Sequence, residues 1–156
     1  MDPISLAASL VAFVQIADRI IVACKHCIDT IRDAPRDMMI IVGEITSLKT
    51  ILDSFATDEL RAKTANLAPL LFGPSGPVEA CRRCLSSLEK LLPSVQHDPQ
   101  RGSTRLRITL VELAWPLKES RAKKLLAEIA QHKATLLLAM TGSLVQVSFL
   151  KALQTV

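Results

Sequence analysis

Residues 1–24 read "MDPISLAASLVAFVQIADRIIVAC", a stretch dominated by aliphatic side chains. Three explanations compete for it: a targeting sequence that is later removed, a membrane span, or a packed helix. A secretory signal begins with positive charge, and a mitochondrial presequence is rich in arginine. Here the first charged side chain is Asp2 and the first arginine is Arg19. We therefore do not expect a cleaved targeting sequence.

A single constitutive membrane span also fits this stretch poorly. Residues 4–17 form its cleanest apolar run, 14 residues long. As a helix this run measures about 21 Å, whereas the hydrocarbon core of a bilayer is about 30 Å thick. A longer span includes Asp18 and Arg19, and each charge costs about 2.5–3.5 kcal/mol near the bilayer centre. The stretch is thus a poor lone anchor.

A packed helix explains the stretch better, because its apolar residues recur at steps of three and four. The main apolar stripe comprises Leu6, Leu10, Phe13, Ala17, Ile21, Cys24, Ile28 and Ile31. Five further apolar residues fall outside that stripe: Ile4, Val11, Ile16, Ile20 and Val22. A bundle helix needs an apolar arc of only about 100° or slightly more. We therefore expect either unusual burial of this helix or a second apolar partner.

The composition predicts a single all-α domain. The chain has 156 residues, of which 49% are hydrophobic and only 3% aromatic, with no tyrosine. This length suits one core, and aliphatic packing favours helices over a β-sandwich. We predict an all-α, four-helix-bundle-like domain with short accessory helices over residues 1–156. The predicted helices cover residues 34–55, 58–68, 78–95, 105–114, 117–140 and 144–154.

Three details of this assignment depend on local signals. The segment "RLRITLVELA" alternates like a strand, but its leucine spacing favours a helix, which we prefer. Trp115-Pro116 is expected to break the chain. Gly142 is expected to end the long helix, with Ser143 capping a short last one.

Charge is distributed unevenly along the chain. Residues 1–60 carry 5 basic and 9 acidic side chains, and residues 61–156 carry 14 basic and 6 acidic ones. A basic half can contact phosphates of lipid or nucleic acid, or it can simply keep a helix face soluble. Nucleic-acid binding is not expected, because aromatic residues do not interleave the basic ones. The candidate anionic-lipid contacts are Arg105, Arg107, Lys118, Arg121, Lys123 and Lys124.

No enzyme signature occurs: there is no glycine-rich phosphate loop, no His-Glu-x-x-His pair and no nucleophile elbow. We expect no catalytic activity and no cofactor. The pairs "CKHC" (Cys24, Cys27) and "CRRC" (Cys81, Cys84) have the ligand types of a zinc site, but 53 residues separate them, against about 15–20 in zinc ribbons. We expect four free thiols that serve as small buried hydrophobes in a reducing compartment, and no metal.

Three segments are similar to one known family. "MDPISLAASLVAFVQIAD" resembles the opening of the HeLo-like N-terminal domain of fungal STAND proteins, and "VGEITSLKTIL" resembles that family's second helix. "LAWPLKESRAKKLLAEIAQHKATLLLAM" resembles its entry into a long amphipathic helix, marked by Trp115 and Pro116. The resemblance covers nearly the whole chain, whereas residues 57–77 match no pattern we can name.

The resemblance implies a helical-bundle effector domain of a fungal NLR-like receptor, acting in programmed cell death, heterokaryon incompatibility and innate immunity. Such domains self-associate when the downstream NLR domains of the same chain cluster. They move from the cytoplasm to the plasma membrane on activation and form pores there. The corresponding membrane-active residues are Ile4, Leu6, Leu10, Val11, Phe13, Val14 and Ala17, and Gln15, Asp18 and Arg19 are candidates to line an oligomer. The alternative is a protein–protein signalling or oligomerisation module without a membrane step.

Overall fold

The structure, a computed structural model, describes the backbone of residues 3–30, 36–57, 61–62, 64–92 and 104–154. Side chains are described for residues 4–29, 36–57, 61–62, 64–92 and 115–142. Within these ranges the chain forms helices and no strand, which confirms the all-α prediction. The helices are α1 (Pro3–Thr30), α2 (Arg36–Phe55), α3 (Ala68–Phe72), α4 (Pro77–Leu91) and α5 (Thr104–Gln154).

Four long helices pack as a closed ring around one core. α1 packs against α2 and α4, and α5 packs against the same two helices. α1 and α5 therefore lie diagonally across the bundle from each other. This arrangement gives each long helix two neighbours, which a four-helix bundle needs to cover its apolar stripes.

Contacts between side chains show the direction of each helix. The Lys118 ammonium donates to the Leu91 carbonyl, whereas Cys84, earlier on α4, contacts Glu128, later on α5, so these two helices are antiparallel. On α2 and α5, Asp37 meets Trp115, and seven residues later Glu44 meets Lys133, so these helices run parallel. α1 and α2 form an antiparallel hairpin in which Asp18 meets Lys49. The bundle is therefore up-down-up-down, and α1 and α4 run parallel.

The core is mainly aliphatic, as the composition predicts, and one pair of aromatic rings closes one end of it. Phe55 at the end of α2 meets Phe72 of α3 edge to face, with ring centroids 5.9 Å apart. The chain then turns tightly into α4, where a Cβ atom at Gly76 would lie 2.4 Å from the Leu70 carbonyl oxygen. The largest fully buried side chains among the described residues are Phe13, Ile20, Met38, Ile41, Ile45, Leu48, Leu52, Phe55, Leu85, Leu88, Ile129 and Leu136.

Two predicted interruptions of the last helix are wrong. α5 is continuous over 51 residues and contains Pro116 in its interior. Proline removes one backbone hydrogen bond and costs about 3 kcal/mol. Trp115 before the proline and Ala122 and Leu126 after it are nevertheless buried in the same core. This shared packing offsets the cost and keeps the helix continuous through Pro116. Gly142 does not end it either, because no described glycine has the positive φ that a left-handed cap requires.

The other boundaries agree more closely with the sequence pattern. α1, α2 and the start of α4 fall where the periodicity predicts them. Of the accessory helix predicted over residues 58–68, residues 61–62 are helical and residues 64–67 form turns, whereas residues 58–60 and 63 lie outside the described residues. A separate short helix, α3, begins at Ala68. The helix predicted over 78–95 ends earlier, at Leu91, because the backbone of Leu92 is extended, and residues 93–95 lie outside the described residues. The segment "QHDPQRGST" (residues 96–104), expected to be a loop, also lies outside them except for Thr104, where α5 begins.

Candidate functional site

The inner face of α1 is buried against α2 and α4 and includes most of the predicted stripe. Leu6, Leu10, Phe13, Ala17 and Cys24 are buried, as expected. Ile16 and Ile20 lie outside the predicted main stripe and are buried too, which agrees with unusual burial, one of the two explanations that the sequence left open. Since α1 contacts two helices rather than one, its buried arc is wider than a single seam. Ile21 and Ile28 are only half-buried.

The outer face of the first half of α1 is also apolar. Ile4 is 76% exposed and Val11 is 56% exposed. No charged side chain occurs between residues 3 and 17. We use "outer face of α1" for the exposed residues of this half: Ile4, Ser5, Ala7, Ala8, Val11, Ala12 and Gln15. Val14 lies half-buried at its edge.

By length and composition, α1 could cross a membrane. The qualifying segment is Ile4–Asp29, and only 33% of its most apolar window is buried inside the bundle. A helix that serves only as a core element leaves less apolar surface outside. Some of the surplus apolar residues of α1, such as Ile16 and Ile20, are therefore buried in the bundle, and others, such as Ile4 and Val11, are exposed on its surface.

Asp18 and Arg19 follow directly after this apolar half and point to different neighbours. The Lys49 ammonium on α2 donates to the Asp18 carboxylate at 2.7 Å. The Arg19 guanidinium makes two hydrogen bonds, 2.6 and 3.3 Å long, with the Glu89 carboxylate on α4. The hydrogen bond to Asp18 raises the pKa of Lys49 above its ordinary value. The two charges predicted to line an oligomer are thus engaged within the bundle.

The basic residues of α5 differ in how freely they can contact a ligand. Lys118 donates to the Leu91 carbonyl at 3.2 Å. Lys123 pairs with Glu119, and its Nζ lies 3.9 Å from the Asp37 carboxylate. Arg121 and Lys124 are exposed, and the side chains of Arg105 and Arg107 lie outside the described residues. Because α5 is diagonal to α1, the exposed Arg121 and Lys124 do not share a surface with the outer face of α1.

The Trp-Pro element connects two helices. Trp115 is buried, and its indole N–H donates to the Asp37 carboxylate at 3.4 Å. Asp37 lies in the first turn of α2, where a carboxylate also interacts favourably with the helix N-terminus. Pro116, the next residue, is exposed. The sequence indicated Trp115 but contained no signal for its partner 78 residues away.

The family described as "Pigment biosynthesis cluster protein PigL N-terminal" matches residues 1–154. The chain belongs to this family. No curated protein and no solved structure matches it. Membership in the PigL N-terminal family agrees with a fungal N-terminal helical domain that has one long apolar first helix.

The four cysteines of this PigL-family domain are free and buried. Burial raises the pKa of Cys81 to about 12. It raises that of Cys84 to about 11, helped by the hydrogen bond that the Cys84 thiol donates to Glu128 at 3.4 Å. The two Cys-x-x-Cys pairs do not meet. α1 and α4 are parallel with Arg19 beside Glu89, so Cys24 and Cys84 differ by ten residues in height, or about 15 Å.

Burial of these thiols predicts slow alkylation in the native state. Raising a thiol pKa from 9.0 to about 12 lowers the thiolate fraction near neutral pH about a thousandfold. We expect iodoacetamide to label Cys81 at least that much more slowly in native protein than in protein unfolded by guanidinium. Peptide mass spectrometry of the labelled protein measures this ratio. Equal labelling rates in the two states would mean that Cys81 is accessible to the reagent in the native domain, which would contradict its burial.

Proposed function

We propose that this chain is a HeLo-like, membrane-targeting domain of a fungal NLR-like protein that induces cell death by oligomerising and exposing α1. The observation that carries the proposal is the double apolar character of the first half of α1. Its inner face, including Phe13, is needed for the bundle, and its outer face exposes Ile4 and Val11 without any charge. A helix that can be apolar all round is suited to a second environment.

Release from the bundle is required before α1 can insert. In the resting domain the inner face is buried, so only the outer face can touch a bilayer. A single released helix would carry Asp18 and Arg19 into the hydrocarbon, which is costly. Several copies together can surround a wet interior with Gln15, Asp18 and Arg19, and charges that face such an interior avoid this cost. Self-association is therefore part of the proposal.

The diagonal placement of α1 and α5 supports an order of events. One flat bilayer cannot contact the outer face of α1 and the exposed Arg121 and Lys124 of α5 while the bundle is closed. We infer that the basic residues attach the domain first to anionic lipid, at about 1 kcal/mol for each side chain close to the surface. α1 then leaves the bundle. Clustering by downstream NLR domains of the same chain moves the protein from the cytoplasm to the plasma membrane, and no enzyme activity, cofactor or nucleic acid takes part.

Dye release from lipid vesicles tests the proposal directly. The purified domain should release a trapped dye from vesicles that contain phosphatidylserine. Release should rise more steeply than linearly with protein concentration, because several copies act together. Vesicles of phosphatidylcholine alone should leak less. Intact vesicles at every concentration, with the domain folded by circular dichroism, would contradict the membrane role.

Reversing the exposed basic charges should weaken binding to anionic vesicles. We expect Arg121→Glu with Lys124→Glu to lower the binding constant at least tenfold on phosphatidylserine vesicles, since each lost contact is worth about 1 kcal/mol. Binding to neutral vesicles should hardly change. Vesicle co-sedimentation at low salt measures both. As the control, Lys123→Glu should have a smaller effect on binding, because Lys123 is already engaged by Glu119. Equal binding by the double variant and wild type would assign Arg121 and Lys124 to solubility.

Exposed apolar residues on other helices favour a second candidate, a protein–protein module without a membrane step. Met39 is 66% exposed and Ile40 49% exposed on α2, and Leu138 is 74% exposed on α5. The membrane proposal does not use these residues, whereas a partner surface would. For this candidate, Ile40→Glu should abolish self-association in light scattering while vesicles stay intact in all samples.

A further inference from the structure

Two ion pairs join α1 to both of its neighbours at one level of the bundle. Asp18 and Arg19 are consecutive, so their side chains leave α1 about 100° apart. One reaches Lys49 on α2 and the other reaches Glu89 on α4. They are also the first charges after the uncharged half of α1. The pairs therefore hold α1 from two sides at the boundary between its apolar and polar halves.

We propose that the Asp18–Lys49 and Arg19–Glu89 pairs form an autoinhibitory latch that keeps α1 in the bundle. This inference rests on the proposed function, since it names the contacts that must break before α1 is released. The latch residues on the neighbouring helices, Lys49 and Glu89, leave the apolar half of α1 untouched. Their side chains are only about a third exposed, whereas those of Asp18 and Arg19 are more than half exposed. Lys49 and Glu89 are thus the more restricted side chain of each pair, and they lie on the helices that stay in place when α1 leaves.

The latch is weak by itself, which suits a switch. An exposed ion pair changes a conformational equilibrium by roughly two- to fivefold, and salt screens it. Burial of the apolar inner face still contributes most of the hold on α1. Two pairs at one level add a bias that an anionic surface or a neighbouring copy can remove by competing for the same charges.

Hydrogen exchange in the absence of lipid tests the latch separately from the membrane role. We expect Lys49→Glu and Glu89→Arg each to speed exchange of the backbone amides of residues 8–17 by at least two- to fivefold. The effect should shrink when the salt concentration rises from about 0.01 M to about 0.15 M, because the Debye length falls from about 30 Å to about 8 Å. Restoring the pair with Arg19→Glu in the Glu89→Arg background should return exchange to the wild-type rate.

Lys124→Glu is the matched control for Lys49→Glu in the lipid-free exchange experiment, because it makes the same charge change on the helix diagonal to α1 and should leave exchange in residues 8–17 unchanged. Dye release from phosphatidylserine vesicles is the second readout, and both latch variants should release dye faster than wild type. Unchanged exchange in both single variants would overturn the latch. Faster exchange that the restored pair fails to reverse would also overturn it. If exchange behaves as expected but no variant and no wild-type sample releases dye, the proposed membrane function fails while the contacts that hold α1 are established.

Discussion

Replacing Val11 by glutamate should nearly abolish dye release from phosphatidylserine vesicles while helical content and melting temperature stay close to wild type. Val11 is 56% exposed on the outer face of α1, so a carboxylate there keeps its water in the folded domain. While α1 inserts, before several copies enclose a wet interior, the same charge costs about 2.5–3.5 kcal/mol, which lowers insertion about a hundredfold. Ile4→Glu should behave alike, because Ile4 is 76% exposed. Fluorescence dequenching and circular-dichroism melting on the same samples measure the two effects.

Ile40→Glu is the matched control for this experiment. It places the same charge at a branched aliphatic residue of similar exposure, 49%, but on α2 rather than α1. If the membrane role belongs to α1, Ile40→Glu should release dye like wild type. Stable Val11→Glu protein that permeabilises vesicles normally would contradict the membrane role. A loss of release in the Ile40 variant alone would assign the active surface to α2.

Truncating the inner face of α1 should instead destabilise the whole domain. Phe13 and Ile20 are fully buried. Phe13→Ala should lower the free energy of unfolding by about 3–5 kcal/mol and Ile20→Ala by about 2–5 kcal/mol, because each leaves a cavity. Ile21→Ala should cost roughly half as much as Ile20→Ala, since Ile21 is only half-buried. Urea denaturation followed by circular dichroism measures these differences.

The structure and the sequence periodicity disagree on whether Ile20 or Ile21 faces the core, and these two variants test which of them is correct. The periodicity alone put Ile21 in the packed stripe and Ile20 outside it. The structure buries Ile20 between α1 and its neighbours instead. A larger loss of stability for Ile21→Ala than for Ile20→Ala would show that α1 is rotated about its axis relative to the structure. The outer face defined by Ile4 and Val11 would then also be wrong.

The fold followed from the sequence because apolar spacing is a local signal. Leu6, Leu10, Phe13 and Ala17 are three or four residues apart, and helical geometry alone puts them on one face. The sequence indicated surplus apolar residues outside that stripe, but it did not show that Ile16 and Ile20 would be buried while Ile4 and Val11 stay exposed. The same holds for Pro116, where tertiary packing outweighs a strong local preference. Local rules describe a helix well but not the number of its neighbours.

The candidate site was predictable in part for the same reason. The sequence indicated that α1 has surplus apolar surface and that Asp18 and Arg19 interrupt it. Their partners could not be predicted, since Lys49 and Glu89 are 31 and 70 residues away and no local pattern relates an exposed charge to a distant one. The Trp115 contact to Asp37 is a similar case. Long-range polar contacts depend on how the helices are aligned along one another, and local sequence patterns do not reveal this alignment.

Because α5 is one continuous helix, a small tilt at one point moves its far end by a large distance. At about 1.5 Å per residue, the 51 residues of α5 extend about 77 Å, against about 30 Å for the 20 residues of α2. Gln154 is 39 residues, or about 58 Å, from Trp115, so a tilt of about 5° at Trp115 displaces Gln154 by about 5 Å. If α5 could bend freely at Pro116 or Gly142, a tilt at Trp115 would displace Gln154 by less. A small loosening where α5 meets α2 is therefore amplified into a displacement about as large as one helical turn.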